Sequence, residues 1–191
     1  MEFKSENFLS NCDLLHDTAA IELAIKQLAQ KITIDLSACN PVVICVMNGG
    51  LIFSGYLLSQ LSFPLELDYL HATRYGAEQV GSEICWLAEP QLSLHNRSVL
   101  ILDDILDKGI TLQAVVAFCR KAGAHEVHTA VLVKKIFDKP QALTLEADYI
   151  GLRVPDRYVF GMGMDYRGYW RNARGIYALK EQRGQKEKEK T

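Results

Sequence analysis

The chain has 191 residues, of which 49% are hydrophobic and 23% are charged, and its formal net charge is −2. This length predicts a single domain with a sizeable core. The small net charge excludes global attraction to nucleic acid or to an anionic membrane. No apolar run approaches the roughly 20 residues that span a bilayer, and the N-terminus lacks the apolar stretch of a signal peptide. The five cysteines form no CxxC pair, so we expect a cytoplasmic protein whose cysteines stay reduced.

Helices and strands alternate along the chain. Residues 13–32 carry apolar residues at helical spacing and predict one amphipathic helix. A second helix is predicted from residue 51, and a third from about 111 to 122, where Gly123 ends it. The β-rich segments predict strands at 41–47, 65–73, 84–90, 98–102, 127–135 and 149–154. This alternation predicts an α/β fold with a mostly parallel, twisted sheet flanked by helices.

Reactive residues follow several of these strands. Ligands of open parallel sheets bind at the carboxyl ends of the strands. Asn48 and Gly49 follow the first strand, an acidic segment follows the central strand, and Lys134 ends the next one. We therefore expect a ligand site at this edge of the sheet.

The acidic segment is DDILDKGIT, residues 103–111. Gly109 tolerates a positive φ angle, and the helix that starts near Thr111 offers free N–H groups to an anion. Asp103, Asp104 and Asp107 would repel a phosphate, but they suit sugar hydroxyls or Mg²⁺. A solvated turn with a helix cap is the alternative, and composition alone favours it. The order of apolar strand, acidic pair, third acid, glycine, threonine and helix favours a site for a sugar phosphate.

The segment VLILDDILDKGIT resembles the phosphoribosyl-diphosphate-binding motif of type I phosphoribosyltransferases. VMNGGL at 46–51, VKK at 133–135 and VPDRYVFGMGMDYRGYWRN at 154–172 narrow the resemblance to the hypoxanthine-guanine phosphoribosyltransferases. The resemblance implies one domain over residues 1–180, with a small hood built from the N- and C-terminal segments. The charged tail 181–191 is expected to be disordered.

The resemblance also implies roles for individual residues on the sugar-phosphate side. Asp107 would be the general acid/base at the purine. A set of nine residues would bind phosphoribosyl diphosphate, and two of them, Asp103 and Asp104, would also bind Mg²⁺. The sugar-phosphate set comprises Asn48, Gly49, Asp103, Asp104, Lys108, Gly109, Ile110, Thr111 and Arg171.

On the purine side, the resemblance implies that Lys134 donates to the 6-oxo group, Tyr158 stacks on the base and the Val159 backbone reads its edge. Asp165 would bind Mg²⁺ near the base and the diphosphate. A purely structural role is the alternative for three side chains. Lys134 could be a surface lysine, Tyr158 a core aromatic, and Arg171 could form a plain ion pair with Asp165.

A closing loop is implied at 74–83, beginning with Arg74 and Tyr75. Two positions depart from the resemblance. Asn48 stands where better-known members carry Lys or Arg. A positive charge near the diphosphate is therefore missing, and Mg²⁺ and Arg171 would neutralise more of the diphosphate charge. Lys108 stands where many members carry Thr or Ser, and the backbone N–H groups of the loop do not depend on that side chain.

The function implied is transfer of a phosphoribosyl group to N9 of a 6-oxopurine in purine salvage, by a homodimer or homotetramer. One alternative is a preference for xanthine. Another is a regulator of the same fold that senses phosphoribosyl diphosphate and contacts nucleic acid. The net charge and the presence of Asp107 speak against that regulator, so we expect small-molecule substrates without nucleic acid or membrane partners.

Overall fold

The computed structural model describes residues 8–74, 84–137 and 145–180. Within these ranges the chain forms three α-helices and nine strands, preceded by a short 3-10 turn at Leu9–Asn11. The helices are α1 (Thr18–Leu36), α2 (Gly50–Leu58) and α3 (Ile110–Lys121). The strands are β1 (Cys12–His16), β2 (Val42–Met47), β3 (Glu66–Arg74), β4 (Ile84–Ala88), β5 (Ser98–Leu106), β6 (Glu126–Ile136), β7 (Tyr149–Pro155), β8 (Val159–Phe160) and β9 (Ile176–Leu179).

The larger sheet has six strands in the order β4-β3-β2-β5-β6-β7. Five of them are parallel, and β4 joins the edge antiparallel to β3. The predicted α/β fold with a mostly parallel sheet flanked by helices is therefore confirmed. Strand order changes direction around β2 and β5, so the loops that follow these two strands border a crevice at one edge of the sheet.

Helices cover both faces of this sheet. α1 and α2 pack on one face, where Ile25, Leu28 and Phe53 join Leu100 and Leu102 in one core. α3 packs on the other face, and its buried residues belong to a second core with Val99 and Ile101. Consecutive residues of β5 therefore alternate between the two cores, as strand geometry requires. Because both faces of β5 are covered, its first part, residues 99–102, is a continuous apolar run rather than an alternating one.

A smaller antiparallel sheet, with the strand order β1-β9-β8, combines the N-terminal and C-terminal segments of the described chain. An aromatic cluster packs against it. Phe8 lies 5.6 Å from Phe160, 5.2 Å from Tyr166 and 5.2 Å from Trp170 between ring centroids. Arg157 ties the preceding segment to this sheet, since it donates to Asp13 Oδ2 and to the Leu179 carbonyl oxygen.

Two predicted boundaries are wrong. The helix predicted for 13–32 is interrupted at its start: residues up to His16 form β1, and Asp17 caps α1 by accepting a hydrogen bond from the Ala20 N–H at 2.8 Å. Pairing with β9 prevails over helical spacing there, and Leu14 is 53% exposed. The central strand predicted for 98–102 continues to Leu106, so Asp103 and Asp104 belong to the strand and not to the loop.

No helix in the described part of the chain combines the length and the apolar composition needed to cross a membrane.

Candidate active site

A cavity of about 530 Å³ lies at the carboxyl ends of the central strands. Its walls come from the ends of β2 and β3, from residues 103–112, from the end of β6 and from the segment 158–171. Parallel strands bring these distant segments together because their carboxyl ends meet at the same edge of the sheet. The cavity therefore corresponds to the ligand site expected from the sequence.

Two buried carboxylates form its floor. Asp103 and Asp104 are only 7% and 8% exposed, and Asp103 Oδ1 accepts a hydrogen bond from the Asp104 N–H at 2.9 Å. Burial raises the pKa of Asp103 well above its ordinary value, and the Asp104 carboxylate raises that pKa further. Burial also raises the pKa of Asp104, while its side-chain hydrogen bond with Asp103 and the charge of Arg171 lower it in part. Such a pair is costly without a cation or hydroxyl donors, so it favours a ligand that provides them.

The turn after β2 lies directly against this acidic pair. A Cβ atom on Gly49 would lie 2.2 Å from Asp104 Oδ2, and a Cβ atom on Gly163 would lie 2.0 Å from the Gly49 carbonyl oxygen. The Gly49 backbone is thus held between the Asp104 carboxylate and the Gly163 backbone, and the preceding Met47–Asn48 peptide bond is cis. Glycines at both positions allow this close approach.

An anion site follows β5. Asp107 is the first residue after β5, and Gly109, with a φ angle of +80°, is the N-cap of α3. Only a glycine adopts that backbone conformation without strain. The first N–H groups of this 12-residue helix lie among the residues that line the cavity, together with Thr111. Free N–H groups and the positive end of the helix dipole bind phosphate.

The two lysines at the end of β6 take different positions. Lys134 donates hydrogen bonds to both carboxylate oxygens of Glu146, with a distance of 2.6 Å to Oε2, and it does not line the cavity. Lys135 does line the cavity, and its Nζ lies 3.7 Å from Asp107 Oδ1 and 3.6 Å from Asp156 Oδ1. The structure therefore places Lys135, and not Lys134, beside Asp107.

The opposite wall carries an aromatic ring and an ion pair. Tyr158 is 52% exposed and meets Tyr166 edge to face at 5.6 Å, so it is not a core aromatic. Arg171 donates to Asp165 Oδ1 at 2.7 Å and to the Gly163 carbonyl oxygen at 2.6 Å. Asp165 Oδ2 accepts from the Gly168 N–H at 2.7 Å. The pair considered as an alternative for Arg171 is thus present, and it lines the cavity.

The acidic groups fit a magnesium ion that is shared with a substrate. In the described ranges no three His, Cys, Asp or Glu side chains converge as a metal site. Mg²⁺ is commonly held by one or two carboxylates, with water and substrate phosphates completing its shell. Asp103 and Asp104, buried with only part of their charge compensated by Arg171, match that donor set.

Most residues predicted from the sequence meet in the cavity. Those that line it are Asn48, Gly49, Asp103, Asp104, Asp107, Lys108, Gly109, Ile110, Thr111, Tyr158, Val159, Asp165 and Arg171. Lys134 lies outside it. Arg74 is the last residue of β3, whereas Tyr75 and the rest of the predicted closing loop lie outside the described residues.

Sequence reasoning missed Lys135 and the end of β3, where His71, Ala72 and Thr73 line the cavity. A signal for β3 was available, because it is a predicted parallel strand whose carboxyl end lies at the same edge as the others. No signal separated the two adjacent lysines, since the sequence does not show which of them faces the cavity.

The profile of the phosphoribosyl transferase domain matches residues 11–167. The chain belongs to the phosphoribosyltransferase family. Among curated members, the hypoxanthine-guanine phosphoribosyltransferase of Streptococcus thermophilus is 31% identical over 82% of this chain and 87% of its own length. The enzyme of the same name from Bacillus subtilis is 32% identical over 84% and 88%.

A solved structure described as a hypoxanthine-guanine-xanthine phosphoribosyltransferase superposes with a TM-score of 0.81. It is 28% identical, and the match covers 90% of this chain and 99% of that one. The resemblance stated from the motifs is therefore confirmed, both at the level of the family and at the level of the fold.

Proposed function

We propose that this protein transfers the phosphoribosyl group of 5-phosphoribosyl 1-diphosphate to N9 of a 6-oxopurine, hypoxanthine or guanine, in purine salvage. The single observation that carries the proposal is that all the groups needed to bind a sugar phosphate line one cavity. A helix N-terminus for a phosphate and two buried carboxylates for hydroxyls or a metal lie within one stretch of nine residues, 103–111. The names of the curated relatives support the same activity.

The sugar phosphate would be held from one end to the other by this stretch. The N–H groups of Lys108 to Thr111 and the Thr111 hydroxyl bind the 5-phosphate. Asp103 and Asp104 accept hydrogen bonds from the ribose hydroxyls, and their buried charge opposes the positive charge that develops on the ribose ring. Asp103, Asp104 and Asp165 would hold Mg²⁺, which would supply positive charge opposite the leaving diphosphate.

The leaving group and the base would meet the remaining walls. Arg171 and the peptide of Asn48–Gly49 bind the diphosphate. Tyr158 stacks on the purine and the Val159 backbone contacts its edge. Asp107 accepts the purine proton as N9 attacks, which is the general acid/base role, worth roughly 10²–10⁴-fold in rate.

The proposed activity is tested by a spectrophotometric assay of the wild-type protein with hypoxanthine, guanine, xanthine and adenine, each with and without Mg²⁺. We expect turnover of at least one 6-oxopurine, none of adenine, and loss of activity without Mg²⁺. Asp107→Asn should lower kcat by about 10²–10⁴-fold and change the KM for phosphoribosyl diphosphate much less. Absence of transfer to any 6-oxopurine would refute the proposal.

Xanthine is the second candidate substrate, because the solved structure at TM-score 0.81 is named for xanthine as well as for hypoxanthine and guanine. The same four-base assay ranks it by kcat/KM. A regulator that only senses phosphoribosyl diphosphate is the outcome if the protein binds this molecule and transfers to none of the bases.

We also propose a homodimer or homotetramer with a hood formed by the small sheet. Exposed apolar side chains support self-association: Leu51 and Tyr56 on α2, Leu67 and Tyr69 on β3, and Leu87 on β4, each between 40% and 59% exposed. Aromatic side chains such as Tyr56 and Tyr69 are enriched at the interfaces between proteins. Sedimentation of the wild type and of Leu67→Glu tests this, with dissociation expected for the variant.

All five cysteines are free, which fits the proposed cytoplasmic location.

A further inference from the structure

Lys135 is a cavity residue to which the proposed reaction gives no role. Its side chain is only 15% exposed, and its ammonium group lies between two carboxylates, 3.7 Å from Asp107 and 3.6 Å from Asp156. Both distances are longer than a direct hydrogen bond, which for N–H···O spans about 2.7–3.2 Å. The contact is therefore an electrostatic one, in which a single cation lies between two anions.

The neighbouring Lys134 provides an internal comparison. Its ammonium forms two hydrogen bonds with Glu146, a residue 55% exposed in its side chain, and it does not line the cavity. Consecutive residues of a strand point to opposite faces, which separates the two lysines although they are adjacent in sequence. Of the two, only Lys135 acts on the carboxylate proposed as the acid/base.

Asp156 extends the connection to the other side of the cavity. It follows β7 directly and precedes Arg157 and Tyr158, the segment that carries the proposed base-stacking ring. The segment is anchored on its far side, because Arg157 donates to Asp13 and to the Leu179 carbonyl oxygen. Lys135 thus connects the turn after β5 with the segment after β7, and these are the two parts of the cavity proposed to contact the purine.

We propose that Lys135 is a positioning residue for Asp107. It holds the Asp107 carboxylate in the orientation needed to accept the purine proton, and Asp156 holds Lys135 in place. The inference rests on the proposed function. It adds a residue that acts through Asp107 and makes no contact with the sugar phosphate.

The contact is partly screened by solvent, because the side chains of Asp107 and Asp156 are 37% and 47% exposed. We therefore expect a moderate effect. Lys135→Met should lower kcat about five- to tenfold, in line with a partly screened ion pair. Calorimetric titration with phosphoribosyl diphosphate should show a Kd within about twofold of wild type, because the residues that bind it are untouched. Lys135→Arg should restore most of kcat, since it retains the charge.

A double-mutant cycle decides how Lys135 acts. If it acts through Asp107, then Lys135→Met lowers kcat in the wild-type background but by less than about twofold in the Asp107→Asn background. Asp156→Asn leaves both Lys135 and Asp107 in place and should lower kcat in the same background-dependent way, but by less. It replaces Lys135→Met in the cycle if that variant does not fold. Lys31→Met, an exposed lysine of α1, is the matched control and should leave kcat unchanged.

Unchanged kcat in Lys135→Met overturns the inference, and so does a loss of equal size in both backgrounds, which would mean direct contact with substrate. Failure of the proposed function is distinguishable, because it is seen in the wild-type protein before any substitution. A wild type that transfers to no 6-oxopurine overturns both.

Discussion

Gly163→Ala is expected to disturb the site through a backbone contact. Gly163 has a φ angle of +110°, which an L side chain rarely adopts, and a Cβ atom there would lie 2.0 Å from the Gly49 carbonyl oxygen. Carbon and carbonyl oxygen atoms normally come no closer than about 3.3 Å. Alanine therefore requires the two segments to separate by more than ~1 Å, and this movement displaces Gly49 from its place against Asp104.

The expected loss of stability has two parts. The backbone conformation costs about 1–2 kcal/mol, and the collision costs about 1–3 kcal/mol, because the neighbouring atom belongs to the backbone and cannot simply rotate away. A total near ~3 kcal/mol lowers Tm by roughly 6–12 °C for a chain of this size. Displacement of the Gly49 turn should also lower kcat/KM for phosphoribosyl diphosphate by about 10²-fold, as expected for a misplacement of about 1 Å.

Gly168→Ala is the matched control for the stability measurement. Gly168 has a φ angle of +84°, but a Cβ atom added there would meet no other atom within 4 Å, so alanine introduces strain without collision. We expect a loss of only about 1–2 kcal/mol in urea unfolding. Equal losses for the two variants, together with an unchanged kcat/KM in Gly163→Ala, would refute the reasoning.

Three further substitutions probe charge and anchoring. Asp103→Asn should raise the unfolding free energy of the ligand-free protein at pH 7 by about 1–3 kcal/mol, because burial and Asp104 raise the pKa of Asp103. A raised pKa makes the ionised carboxylate destabilising, so this gain should shrink as the pH falls and be lost below the ordinary aspartate pKa of about 3.9, where the carboxyl is protonated in both states. A gain independent of pH would contradict this. Lys134→Met should hurt 6-oxopurines selectively if Lys134 leaves Glu146 when the base binds, and unchanged discrimination against adenine argues against that role. Arg157→Met should lower stability by about 1–2 kcal/mol in urea unfolding through its lost hydrogen bonds, with a raised KM for the base. An unchanged KM would show that the anchor does not position Tyr158.

The fold and most of the site could be predicted from the sequence because the patterns that indicate them are local and extend over many residues. The apolar runs of β2 and of the first part of β5, residues 99–102, are covered on both faces, and continuous runs of this kind indicate a buried parallel sheet. The turn proposed to bind phosphate is also local: Gly109 and the start of α3 follow the strand within a few residues. Neither feature depends on a long-range contact, so both can be predicted from the sequence.

The errors concern long-range contacts. Residues 13–16 have helical spacing but pair with β9, more than 150 positions further along the chain, and no local pattern encodes that partner. The difference between Lys134 and Lys135 depends on which face of β6 each occupies and on the positions of Glu146 and Asp156. A one-residue change in strand register exchanges the two faces, so the assignment needs the three-dimensional structure.

The position of Asp103 and Asp104 within β5 determines the physical role of the acidic pair. Carboxylates in a flexible loop could turn toward solvent when the site is empty. Asp103 and Asp104 lie in a strand of the sheet that β2 and β6 flank, and they are less than 9% exposed. The sheet thus fixes their charge at the cavity floor before a ligand arrives, at a cost in folding stability that burial imposes. Under the proposed function, the acidic pair would be preorganised for a cation and for sugar hydroxyls, and such preorganisation is what makes fixed charges effective at a developing positive charge.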